Sequence, residues 1–266
     1  MKFGQRLAVI PLALVVSSLA MPAYSFELPT TSDRGSTGSS IGGATRAIEF
    51  PPTSDRGAPS RTAGGATRGS TCIDANVQPN LTALLPNNSL ATTYAADADL
   101  PTSLFFYVPE SPSQQAELFI VDSVGEEVYS QTVTLPGEAG VVQVVIPNGE
   151  DLFEADELYY WDFAIICDAE DPDSNVVVGG GIQRADASAE LLMALASAGD
   201  DPLAQAQVYA EAGAWQETLA LVAKLRDENP QAWADLLQSV GLEGVADAPL
   251  LELAARHSSA AHPDCN

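Results

Sequence analysis

The chain has 266 residues, 46 % of them hydrophobic, with 11 Lys+Arg against 36 Asp+Glu and a formal net charge of -25. That length suits one large domain or two small ones, and the apolar share is enough for a sizeable core. Only four acidic residues (Glu27, Asp33, Glu49, Asp55) precede Cys72, so Arg184, Lys224, Arg226 and Arg256 stand among the other 32; this excludes nucleic acid as a partner of that part and disfavours an anionic membrane surface.

Residues 1–25 read as a secretory signal peptide. Lys2 and Arg6 make the positive start, Leu7 to Leu19 the apolar run, and Ala23-Tyr24-Ser25 the small-residue cleavage site. The run is short for a membrane span, so no insertion is expected after cleavage. No Cys follows the site, which argues against a lipid anchor. The mature chain is expected to begin at Phe26, in an oxidising compartment that is periplasmic or extracellular.

Residues 26–71 are rich in Gly, Ser, Thr, Pro and Arg and repeat themselves at a 22-residue offset. Thr31-Ser32-Asp33-Arg34-Gly35 returns as Thr53-Ser54-Asp55-Arg56-Gly57, and Gly42-Gly43-Ala44-Thr45-Arg46 as Gly64-Gly65-Ala66-Thr67-Arg68. Two copies this poor in apolar residues cannot bury a core, so a disordered arm is expected, or one docking its arginines on an acidic surface.

Residues 72–186 read as all-β. Strands are expected over Leu104 to Val108, Ala116 to Val121, Val128 to Leu135, Val141 to Ile146, Leu158 to Cys167 and Asn175 to Arg184, separated by Gly, Pro and Asn turns. Tyr159, Trp161, Phe163, Ile165 and Cys167 alternate at period two and share a face. Gly179-Gly180-Gly181 inside the last strand marks a bulge or a close backbone approach. The pattern suits an antiparallel, immunoglobulin- or fibronectin-like β-sandwich, with Tyr159 or Tyr160 as a tyrosine corner.

Residues 187–256 switch to helical character. Ser188 caps a helix over Ala189 to Ala198. Asp200 or Asp201 caps the next, with Pro202 in its first turn and a stop near Gly213. A third runs from Trp215 to about Glu228, and Pro230 opens a fourth through Ser239. A short helix punctuated by Gly241 and Gly244 follows, and 257–266 read as a frayed tail. Tyr209, the Gly213-Ala214-Trp215 turn, Leu219 and Pro230 are spaced like one tetratricopeptide hairpin. A single hairpin is either a small groove or a plain helical pair. On the first reading Tyr209, Trp215 and Leu219 are candidate partner-binding residues.

Three cysteines in an oxidising compartment imply one disulfide and one leftover thiol. Cys72 and Cys167 border ordered-looking sequence, whereas Cys265 is penultimate, so Cys72–Cys167 is the expected bridge.

Together these residues resemble the DUF928 family, uncharacterised secreted proteins found mostly in cyanobacteria. The resemblance runs from about Asp55 to Leu251. It is carried by Asp55-Arg56-Gly57, by Gly64-Gly65-Ala66-Thr67-Arg68-Gly69 leading to Cys72, and by Leu81-Thr82-Ala83-Leu84-Leu85-Pro86. Phe106-Tyr107-Val108-Pro109, Tyr159-Tyr160-Trp161-Asp162-Phe163, Ile166-Cys167-Asp168 and Tyr209-Ala210-Glu211-Ala212-Gly213-Ala214-Trp215 complete it. It implies an envelope protein and no activity that can be transferred. The duplicated arm and the acidic sandwich depart from it.

Catalytic chemistry has little to stand on. His257 and His262 are the only histidines and both lie in the tail; no G-x-S-x-G elbow occurs, and after residue 25 the sole lysine is Lys224. Nothing selects any pair of carboxylates as a glycosidase dyad. Asp168, Asp171, Asp173 and Asn175 cluster hard oxygen donors in one turn, as Ca²⁺ requires, but Val176 stands where the EF-hand Gly belongs and no Glu closes the loop. The acidic loop at Glu150, Asp151, Glu154, Asp156 and Glu157, and the tail set His257, His262 and Cys265, are weaker cation candidates. The expectation is a non-enzymatic binding or adaptor module of the cell envelope, without a cofactor, whose partner is another envelope or secreted protein. The alternative is a Ca²⁺-dependent adhesion domain, or a metal-assisted hydrolase, built on the Asp168–Asn175 turn.

Overall fold

The structure, a computed structural model, describes Ile48 and residues 72–74, 78–86, 90–94, 100–147 and 149–253. The expected signal peptide, the arm repeat apart from Ile48, and His257, His262 and Cys265 lie outside these residues. All described residues belong to one compact unit, Thr45–Asn266.

The strands in chain order are β1 (Thr82–Ala83), β2 (Leu90–Tyr94), β3 (Ser103–Val108), β4 (Gln115–Val121), β5 (Glu127–Thr134) and β6 (Gly140–Val145). A one-turn helix α1 (Gly149–Leu152) leads to β7 (Leu158–Ile165) and β8 (Val176–Ala185). The helices α2 (Ala189–Ala198), α3 (Pro202–Glu211), α4 (Trp215–Lys224) and α5 (Pro230–Ser239) follow, and β9 (Leu250–Leu251) returns to a sheet.

Two sheets form, ordered β1-β3-β6-β9 and β2-β8-β7-β4-β5. Alternation decides which side chains meet between them. On β4, Ala116, Leu118 and Ile120 are buried while Glu117 and Phe119 face out. On β7, Tyr159, Trp161, Phe163 and Ile165 are buried and Asp162 is exposed. Phe106 of β3 stacks on Phe163 at 4.1 Å between ring centroids and meets Trp161 edge-on at 5.5 Å, so the sheets face each other through aromatic contacts. The Cys72–Cys167 disulfide is present, with 5.2 Å between its Cα atoms.

The sheets are mixed rather than antiparallel throughout: β2 runs parallel to β8, and β9 parallel to β6. Both exceptions are edge strands paired with partners far away in sequence, so no hairpin turn imposes the antiparallel sense. The glycines of β8 do not form a bulge. Gly179 pairs with Asp162 in unbroken register, and a Cβ there would collide with the Asp162 carboxylate. The close-approach reading therefore holds.

The caps form as expected. Ser188 Oγ accepts from the Leu191 amide, and Asp201 Oδ1 from those of Leu203 and Ala204. The helices do not make a separate core. Trp215, Leu219 and Trp233 belong to the same buried cluster as Phe106 and Trp161. The Trp215 indole N–H donates to the Leu84 carbonyl at 2.7 Å, across 131 residues of chain. α4 lies against β2 of one sheet and β3 of the other, which helps bury every residue of β3. Ile48, in the segment expected to be a disordered arm, is 2 % exposed and part of this core.

Candidate functional site

A groove of about 1100 Å³ opens where the two sheets end beside the α4–α5 connection. Its floor includes Phe105 of β3 and Gln143 and Val145 of β6; β5, at one edge of the larger sheet, contributes Gln131–Val133. One wall is the end of α4 and the turn after it, with Ala223, Lys224, Arg226 and Asp227; the other is the segment 249–253. Register explains the opening. β9 covers only Val141 and Val142 of β6, so Gln143–Val145 run past its end. Val145 and Leu250 are left 39 % and 37 % exposed. Gly140 allows β9 this close: a Cβ would stand 2.7 Å from the Pro249 carbonyl oxygen and against the Leu251 side chain.

Charge is distributed unevenly around the groove. Of the described cations, Lys224 and Arg226 line it, while Arg184 is ion-paired to Asp186 at 3.2 Å. Arg226 is largely structural: its guanidinium donates to the Ala246 carbonyl at 3.2 Å and lies 5.2 Å from the Trp233 ring centroid. Lys224 is exposed and reaches solvent at the groove wall.

The sequence-derived candidates fare differently. Tyr209, Trp215 and Leu219 are 2 %, 1 % and 0 % exposed, so they are core residues and present nothing to a partner. Of the two readings of the tetratricopeptide-like spacing, the burial of these residues favours the plain helical pair, whose apolar face packs on the body of the same chain. Asp168, Asp171 and Asp173 are exposed and splayed around the turn. Asp168 Oδ1 accepts from the Glu170 amide, and Asn175 Oδ1 from the Cys167 amide, so two of the intended ligand oxygens serve the turn itself. No set of three His, Cys, Asp or Glu side chains converges among the described residues. Tyr159 does make a corner-like contact, its hydroxyl accepting from the Glu154 amide at 3.1 Å.

Sequence reasoning missed Glu217. It is 4 % exposed at the start of α4, where its carboxyl meets Thr93 and Tyr94 of β2. Burial pushes its pKa up to about 7, against the lowering effect of hydrogen bonds from Thr93, the Tyr94 amide and its own amide. No local signal marks it, because α4 is buried on all sides from Trp215 to Val222 and apolar periodicity cannot single out one polar position. Lys224 and Arg226 were findable from their rarity, but not their shared location.

The DUF928 family, described as a domain of unknown function, matches residues 63–250. The chain belongs to this family. The DUF928 match takes in both sheets and all four long helices, and ends at Leu250, the first residue of β9. It begins after Asp55-Arg56-Gly57, so that part of the expected resemblance falls outside it. No curated protein matches the chain. Among solved structures, the fn3 domain of the human collagen alpha-1(XX) chain is similar over 46 % of this chain and 93 % of its own, at 13 % identity and a TM-score of 0.23.

Proposed function

We propose that this DUF928 protein is a non-enzymatic binding module of the cell envelope that receives an extended segment of a partner protein in its edge groove. The body is a fibronectin-like β-sandwich, and α3–α4 is a single tetratricopeptide-like hairpin used as a structural cap. The observation carrying this reading is the groove itself: about 1100 Å³, bordered by an edge strand and by the uncovered end of β6. Such edges take up extended chains through main-chain hydrogen bonds, with neighbouring pockets selecting side chains. The disulfide supports an oxidising compartment, periplasmic or extracellular. No described helix is long and apolar enough to cross a membrane.

The test is site-specific photocrosslinking in the native envelope. A photoreactive residue at Val145, in the groove, should capture one defined protein. The same residue at Val124, 79 % exposed in the β4–β5 turn, should not. With the photoreactive residue kept at Val145, Leu250→Glu should abolish the capture without lowering thermal stability. Equal recovery from both positions, or recovery unaffected by Leu250→Glu, rejects the groove as the binding surface.

A further inference from the structure

The seam between β2 and α4 encloses a carboxyl group that has no counter-charge among the described residues. Glu217 Oε1 accepts from the Thr93 hydroxyl at 2.5 Å and from the Tyr94 amide at 2.6 Å. Its Oε2 is buried without a partner. The adjacent Gln216 is 2 % exposed, and neither its amide oxygen nor its amide nitrogen has a partner. At 4 % exposure a charge placed there has little access to solvent, and the described elements around it supply no compensating cation. On β2, Tyr94 turns its hydroxyl to the Ala212 carbonyl at 3.3 Å. Arg184 on β8 lies next to Thr93 in register, but its guanidinium donates to the Phe153 carbonyl and to Asp186. Tyr209 and Glu211 on α3, Tyr107 on β3 and Asp235 on α5 bring no positive charge, and Lys224 is exposed at the far end of α4.

We propose that Glu217 is a protonation-controlled latch: neutral, it ties the edge strand β2 to α4, and once ionised it loosens that seam. A neutral carboxyl keeps both donors on its carbonyl oxygen and stays buried at modest cost; the donors themselves favour the ionised form, and it is burial that outweighs them. An ionised carboxylate with one oxygen unsolvated is far more expensive to keep there. Opening the seam returns the group to water and to its ordinary pKa of 4.5, whereas in the closed seam burial holds it at about 7. Between those two values the closed form binds one more proton than the open form. Raising the pH through this window therefore favours opening. Below 4.5 both forms are protonated, above 7 both are ionised, and at either extreme the balance is level.

Hydrogen exchange of the intact protein reads this directly. After division by intrinsic rates, protection of the Ala91–Tyr94 amides should fall by up to about tenfold per pH unit between pH 5 and 7 and then level off. In Glu217→Gln the same amides should show no such slope. Thr93→Val removes a donor that favours the ionised form, so levelling-off should move to higher pH. The latch is overturned if wild type and Glu217→Gln share one pH profile, or if Thr93→Val leaves the wild-type profile in place. Should Glu217→Gln fail to fold, carboxyl ¹³C NMR of the wild type decides. A buried glutamate titrating near neutrality sustains the latch, and its absence ends it.

Discussion

Ile48 is a single core residue contributed by a Gly/Ser-rich stretch of the sequence. At 2 % exposure it ranks with Phe106 and Trp161 as core. Ile48→Ala should cost about 2–4 kcal/mol in urea denaturation, the usual range for emptying a buried aliphatic site; a loss under about 0.5 kcal/mol would mean that the side chain packs against nothing firm. Trp215→Phe should strip the Leu84 carbonyl of its donor and lower stability by about 1–2 kcal/mol. At this scale the sequence was a good guide wherever a residue repeats a period. The Tyr159, Trp161, Phe163, Ile165 stripe of β7 is buried as its alternation requires. It was a poor guide to Tyr209, Trp215 and Leu219, because an apolar helix face looks the same whether a partner or the chain's own body covers it.

The element boundaries divide along the same line. β4, β7 and β8 form within two residues of where alternation and turn residues place them, and α2 and α5 coincide with the expected spans. β1 and β9 have two residues each, too few to carry a period, and their existence depends on the strands they join. The Cys72–Cys167 bridge staples the arm side of the body to the end of β7 across 95 residues. Replacing both cysteines by serine should remove about 4–5 kcal/mol, the chain-entropy value for a loop of that length, measured by denaturant titration. Intact mass before and after reduction should show one bridge; free native thiols at both positions would refute it. Gly140→Ala should push β9 away from β6, seen as faster amide exchange at Leu250–Leu251 and a lower Tm.

For the whole molecule, the formal charge of -25 belongs to a folded acidic body rather than to an acidic tail. Like charges at this density repel one another within the compact state, and salt screens them over roughly 8–10 Å at physiological strength. Raising NaCl from about 10 mM to 0.5 M should therefore raise Tm, because the Debye length shrinks severalfold. A Tm that falls or stays level across the series would show that self-repulsion does not limit stability. Among the described residues, two of the three cations, Lys224 and Arg226, lie at one groove wall.

Composition, period-two alternation, helix caps and cysteine count were sufficient for the β-then-α order, for most strands and helices, and for the disulfide. Each of these is a local property or a choice among very few options. Only the tertiary structure decided which sheet each strand joins, why two edge pairs run parallel, that the helices share the sheets' core, and where the groove opens. It alone buried Glu217, because contacts such as Thr93–Glu217 and Leu84–Trp215 span 124 and 131 residues. No local period carries information over that distance.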